Sequence, residues 1–107
     1  MAIRKNIRIP MDLYINKLVN GVPHLALVEN ISREGIYIHR ILEPNTPPGA
    51  HLAVEFMLPN SNELIWTEAE LVHARGESGQ GLRFIDLAPR FQRTIAQFIE
   101  SELCAAS

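Results

Sequence analysis

Alternation of apolar and polar residues with a period of two runs through most of this chain and limits the folds that it can adopt. In the segment HLAVEFML, Leu52, Val54, Phe56 and Leu58 alternate with the residues between them. Successive side chains of a β-strand point to opposite faces, so this pattern predicts a strand with one face buried in a core. Strands that are buried on one face only are typical of antiparallel sheets.

Five other segments carry the same alternation or lie between turn signals, and we predict a strand around residues 11–15, 25–27, 36–38, 64–74 and 81–85. The longest predicted loop is EPNTPPG, because its prolines cannot enter the interior of a sheet. Short strands that are separated by regular turns indicate a small barrel or sandwich.

The apolar period becomes helical near the C-terminus, where Phe91, Ile95 and later apolar residues recur at helical spacing. Pro89 suits the first turn of a helix, because the N–H that proline lacks would have no partner there. We therefore predict an all-β fold of about six antiparallel strands within residues 10–86, followed by one C-terminal α-helix over residues 88–103.

Length and composition predict a single globular domain over residues 1–107. A formal net charge of −2 disfavours a general DNA- or RNA-binding role. No apolar run is long enough to cross a bilayer, so we expect no membrane insertion, and the N-terminus lacks the apolar core of a signal peptide. A single cysteine, Cys104, excludes an internal disulfide and fits a reducing cytosol, so we expect a cytoplasmic protein.

The sequence offers no support for catalysis or for a metal site. Four histidines are scattered without metal-ligand spacing: His24, His39, His51 and His73. Glu68 and Glu70 share one side of a predicted strand, but exposed carboxylates of this kind are usually solvated. Neither a nucleophile elbow nor a glycine-rich phosphate loop is found. We therefore expect no enzymatic activity, no catalytic residues and no bound metal.

A basic segment precedes the first predicted strand, and we expect residues 1–9 to form a flexible arm. Arg4, Lys5 and Arg8 lie in it without an acidic neighbour. Pro10 favours extended geometry in the residue before it, and in an extended segment the even spacing of Arg4 and Arg8 places both on one side. Paired guanidinium groups suit phosphates and guanine edges. The alternative is an ordinary solvated arm.

The segment NISREG joins the second and third predicted strands and mixes polar groups with a glycine. Asn30 and Ser32 would share a face if the strand continued through both, and together they could hydrogen-bond to a base edge. Gly35 would allow a turn or the close approach of a ligand to the backbone. Ordinary turn chemistry, in which Asn or Ser side chains bond nearby backbone groups, is the alternative.

Taken together, the two segments resemble the motifs of the PilZ domain family, which are RxxxR and, one hairpin later, [DN]xSxxG. Arg4 and Arg8 match the first motif, and Asn30, Ser32 and Gly35 match the second. The resemblance continues along the chain in order. It covers the Pro-Gly loop within residues 42–52, the late G-x-x-F strand at residues 81–84 and the helix start at residues 86–89.

The resemblance implies a six-stranded antiparallel barrel that binds cyclic di-GMP as a ligand, with no cofactor, through Arg4, Arg8, Asn30, Ser32 and Gly35. Four further positions are implied as possible ligand contacts: Lys5, Arg33, His73, where many members carry a stacking aromatic residue, and Gly81. It further implies that the ligand orders the N-terminal arm and so changes a surface presented to a protein partner. The alternative is a degenerate PilZ-like interaction module that does not bind cyclic di-GMP.

Overall fold

Six β-strands and one α-helix make up the described part of the chain, which in this computed structural model comprises residues 7–41, 46, 49–75 and 79–106. The elements in chain order are β1 (Ile9–Val19), β2 (Val22–Ile31), β3 (Gly35–Arg40), β4 (Leu52–Met57), β5 (Leu64–Arg75), β6 (Gly79–Ile85) and α1 (Pro89–Ala106).

The strands close into a barrel in the order β1-β2-β3-β6-β5-β4, and β4 returns to pair with β1. Every neighbouring pair is antiparallel. The predicted fold class, an antiparallel six-stranded barrel with a C-terminal helix, is confirmed. Closure gives each of the six described strands a neighbour on both sides, so none of them is an edge strand.

The main differences from the predicted boundaries lie at the start of β1 and at the end of α1. Strand β1 begins at Ile9, which was assigned to the arm, and Ile9 is buried at 7% exposure because it packs into the core. Helix α1 begins at Pro89 and continues to Ala106, beyond the predicted end at residue 103. No glycine or proline interrupts the segment after Leu103, so nothing in its sequence stops the helix there.

The barrel interior is filled by apolar side chains from all six strands: Ile9, Ile15, Ala26, Val28, Ile31, Ile36, Ile38, Leu52, Val54, Phe56, Ile65, Ala69 and Leu82. Helix α1 adds Phe91, Ile95 and Ile99 to this core at a spacing of four residues. Each such buried side chain contributes about 1.5–3 kcal/mol relative to exposure. Glu63 also contacts the helix, since its carboxylate accepts a 2.5 Å hydrogen bond from Thr94 Oγ1.

Lys17 is a basic residue within this largely apolar core, since it is fully buried on the inward face of β1. Its Nζ donates to Gln80 Oε1 at 2.6 Å and to Thr46 Oγ1 at 2.8 Å. Gln80 Nε2 in turn donates to Thr46 Oγ1 at 3.3 Å. A buried ammonium group is tolerated only when its protons are hydrogen-bonded, so this cluster ties β1, β6 and the β3–β4 connection together.

Replacing Lys17 should destabilise the barrel. We expect Lys17→Ala to lower the free energy of unfolding by about 2–5 kcal/mol, because it leaves a cavity and removes the partner of buried Gln80. Lys17→Met keeps most of the volume and should lie between wild type and the alanine variant. Urea denaturation measures both. Asn16→Ala, on the outward face of the same strand, is the control, and an equal loss there would contradict this explanation.

Candidate functional site

Arg8 and Asn30, one residue from each predicted motif, are in direct contact. Arg8 is exposed immediately before β1, and its Nη1 donates to Asn30 Oδ1 at 2.8 Å across 22 residues of sequence. The register explains the contact, since Ile9 pairs with Ile31 and Pro10 with Asn30 at the same end of the barrel. The remaining members of the basic arm, Arg4 and Lys5, lie outside the described residues.

The contact fixes the orientation of the Asn30 amide. A guanidinium group has only donors, so the amide atom that faces it has to be the oxygen. The Nδ2 group of half-buried Asn30 therefore keeps its two N–H bonds for another acceptor. Arg8 and Asn30 together present hydrogen-bond donors, and their side chains lie at the surface of the barrel.

A β-bulge is the reason that Asn30 lies on the surface. Ala26 and Val28 point into the core, so regular alternation would also turn residue 30 inward. Between the pairs Val28–Ile38 and Asn30–Tyr37, β2 contains one residue more than β3. The extra residue, Glu29, shifts Asn30 to the outer face and returns Ile31 to the core.

Ser32 lies inside the turn and does not share a strand face with Asn30. Strand β2 ends at Ile31, and Ser32 is buried at 3% exposure. Its Oγ accepts from the Glu34 N–H at 3.2 Å and donates to the Gly35 carbonyl at 3.4 Å. The Ser32 N–H also donates to the Gly35 carbonyl, at 2.9 Å. The expected common face is therefore not observed, and the Ser32 hydroxyl instead organises the turn.

Gly35 is required by the neighbouring strand. It lies outside the left-handed region of backbone conformation, so positive φ is not the reason for glycine here. A Cβ at this position would lie 2.1 Å from the Leu82 carbonyl oxygen of β6. The Phe84 N–H donates to the Glu34 carbonyl at 2.8 Å, which fixes the turn on β6. The close approach that glycine allows is therefore that of a backbone strand.

Arg33, another predicted position, belongs to this turn. Arg33 is exposed at its tip and borders an open groove of about 970 Å³ between the turn, the end of β6 and the start of α1. Arg83 and Arg93 also line the groove, and the Arg83 guanidinium is paired with the Glu70 carboxylate. The structure thus brings further arginines near Arg33 that the motif comparison did not indicate.

Gly81 lies in the middle of the sheet that adjoins the turn. Its Cα partners are Tyr37 of β3 and His73 of β5. Tyr37 is also the partner of Asn30. Tyr37 was absent from the predicted site, although an aromatic residue two positions after the motif glycine was visible in the sequence. Its proximity to Asn30 depends on the bulge at Glu29, which the sequence pattern did not indicate.

Within the described residues, no group of three or more histidine, cysteine, aspartate or glutamate side chains is arranged to hold a metal ion. Among the same residues, no helix has the length and apolar character needed to cross a membrane.

Comparison with known families identifies the chain. The model of the PilZ domain family matches residues 2–101, and the chain therefore belongs to this family, as the sequence motifs predicted. Among solved structures, the fold is similar to that of the Borreliella burgdorferi PlzA protein, which was crystallised in complex with c-di-GMP. The TM-score is 0.64 at 17% identity over 88% of this chain. This chain spans 40% of the PlzA chain. Comparison with curated proteins gives no sequence match.

The packing of Gly35 predicts a purely structural effect of substitution. Gly35→Ala should lower the free energy of unfolding by about 1–3 kcal/mol or more, because β3 and β6 have to separate to admit the methyl group. Thermal denaturation of the protein without ligand measures this loss. Glu34→Ala, whose side chain is exposed in the same turn, should stay within about 0.5 kcal/mol of wild type. If Gly35→Ala melts at the wild-type temperature, the proposed steric role is wrong.

Proposed function

We propose that this chain is a receptor for cyclic di-GMP, with a ligand site formed by Arg4, Arg8, Asn30, Ser32 and Gly35. Membership of the PilZ family and the similarity to ligand-bound PlzA support the ligand class. The contact between Arg8 and Asn30 is the observation that carries the proposal for this chain, because it unites the two motif segments at one place on the barrel surface.

The chemistry of this pair fits the ligand. Guanine presents two acceptors, O6 and N7, on the edge that lies opposite its sugar in the major groove of DNA. The remaining N–H groups of Arg8 and the Nδ2 group of Asn30 are donors that suit these acceptors. Arginine also forms forked bonds to phosphate, which gives Arg4 and Arg8 a second kind of partner in a cyclic dinucleotide.

Within this site, Ser32 and Gly35 serve mainly to hold the turn in place. The buried Ser32 hydroxyl bonds to the turn backbone, and Gly35 allows contact with β6. Their contribution to binding would come from fixing the end of β2, where Asn30 lies. Lys5, Arg33, His73 and Gly81 remain proposed as secondary contacts that extend the site along the arm and across β5 and β6.

The proposed output is conformational. Repulsion among Arg4, Lys5 and Arg8 disfavours close packing of the arm until ligand phosphates neutralise their charge. Ligand binding would then order the arm and change the surface presented to a protein partner. The proposal includes no catalytic step, and it assigns the receptor to the cytosol, where a reduced Cys104 would be expected.

Removing Arg8 should weaken ligand binding. Loss of a charge-assisted hydrogen bond typically costs about 1.5–3 kcal/mol, so Arg8→Ala should raise the Kd for cyclic di-GMP by roughly 10- to 100-fold. Arg4→Ala should have an effect of the same size. Calorimetric titration measures both, with GTP and cyclic AMP as ligand controls. The apo melting temperature should change little, since Arg8 is exposed.

Arg90→Ala is the matched protein control, because its guanidinium lies over the Phe91 ring and near Glu63 on helix α1. It should leave the Kd unchanged. Wild-type affinity in both Arg8→Ala and Arg4→Ala would remove the basis for the assigned site, whereas absence of binding in the wild-type protein would favour the ligand-free interaction module.

Removing the Asn30 amide should reduce base discrimination. Asn30→Ala eliminates a donor pair that faces acceptors on guanine, so we expect the ratio of affinities for cyclic di-GMP and cyclic di-AMP to fall several-fold. Competitive titration of the two dinucleotides measures this ratio. Ser32→Ala is the comparison within the turn, and it should lower thermal stability together with affinity for both ligands. An unchanged ratio in Asn30→Ala would mean that guanine is recognised elsewhere.

A further inference from the structure

A row of paired residues crosses the barrel wall at the level of Asn30. Each residue of this row is the Cα partner of the next one around the barrel. The row runs through Pro10 of β1, Asn30 of β2, Tyr37 of β3, Gly81 of β6 and His73 of β5. We call these five register positions the outer row. Directly paired residues in a sheet share a face, and Asn30 is on the outer face, so Tyr37 lies beside it on the outside of the barrel.

The irregularities of the sheet are concentrated along this row. The described ladders contain three register shifts, between Pro10 and Leu13, between Val28 and Asn30, and between Leu71 and His73. In each case, one of the two residues that bound the register shift belongs to the outer row. Bulges occur preferentially beside functional sites, where they redirect side chains. Their coincidence along one row marks this strip of the wall as specialised, and Tyr37 lies at its centre.

Tyr37 is also held in place by its neighbours on the outer face. Its ring makes an edge-to-face contact with the ring of His39, with centroids 5.7 Å apart and planes at 83°. His39 Nε2 lies 2.7 Å from Glu29 Oε1, and Glu29 is the bulge residue. A half-buried ring is thus oriented by the same bulge that redirects Asn30.

We propose that Tyr37 is a ligand-contact residue whose ring stacks on a purine base of the cyclic dinucleotide. This inference deepens the proposed function and rests on it. Neighbouring strands are about 4.8 Å apart, so Asn30 and Tyr37 are close enough to contact the edge and the face of one base. On the side of Tyr37 that faces away from Asn30 lies Gly81, which has no side chain on the outer surface of the sheet. The base would lie over β2, β3 and β6, with Arg8 at its β2 side.

The two neighbours would then have different tasks. Asn30 forms hydrogen bonds and distinguishes guanine from adenine, whereas stacking tolerates any base because every base has a π face. Tyr37 should therefore contribute affinity without selectivity. This separation gives Tyr37 a signature that a general loss of structure would not produce.

The first test is a substitution series with both dinucleotides. Tyr37→Ala and Tyr37→Leu should each weaken cyclic di-GMP binding by roughly 10- to 100-fold. Affinity for cyclic di-AMP should fall by a similar factor, so the preference for guanine should persist. Tyr37→Phe should bind within about twofold of wild type. Tyr37→Leu retains apolar bulk at this half-buried position and separates lost stacking from unfolding, which the apo melting temperature monitors.

The chain supplies its own matched control, since it contains only two tyrosines. Tyr14 is 61% exposed on β1 and pairs with Leu27, away from the outer row. Tyr14→Ala should leave the Kd unchanged. In protein labelled with ¹³C at tyrosine rings, cyclic di-GMP should shift the Tyr37 signals through its ring current and leave the Tyr14 signals in place.

The outcomes distinguish this inference from the function on which it rests. If the wild-type protein binds cyclic di-GMP and Tyr37→Leu binds equally well, stacking on Tyr37 is refuted while the receptor function stands. A selective loss of guanine preference in Tyr37→Leu would also overturn it, because the ring would then be acting in base discrimination. If the wild-type protein fails to bind cyclic di-GMP, the receptor function and this inference both fail.

Discussion

Alternation of side chains along β-strands is the constraint on which both the barrel and its candidate site depend. It sends one residue of each pair into a closed core and the other to the outer wall. A residue can change from one face to the other only where this alternation is interrupted. The bulge at Glu29 is such an interruption, because it places Asn30 on the face opposite to that of Val28 and beside Tyr37. The contact with Arg8 follows from that change of face.

The same alternation explains which parts of the structure could be predicted. Six segments with period-two patterns, followed by one helical pattern, gave the correct elements and fold class. The family resemblance grouped Arg8 with Asn30, and these two side chains are in contact. The elements were predicted from local pattern and the grouping from resemblance, and neither required knowledge of the register between strands.

The predictions failed where the end of a strand or the pairing between strands determines the position of a residue, since neither is visible in a local pattern. Asn30 and Ser32 were expected on one face, but β2 ends at Ile31 and Ser32 is buried inside the turn. Gly35 was attributed to the turn or to a ligand, and its close approach to the Leu82 carbonyl of β6 was not foreseen. Tyr37 was missed for the same cause, since its neighbours come from β2 and β6.

The filled core of the barrel also determines what a protein partner of the proposed receptor would encounter. With Ile38, Val54 and the hydrogen-bonded Lys17 occupying the interior, a molecule bound at Asn30 would rest on the outside of the wall and keep one side in solvent. A partner could then touch the nucleotide itself as well as the protein around it. Recognition would depend on a composite epitope that exists only while the second messenger is present.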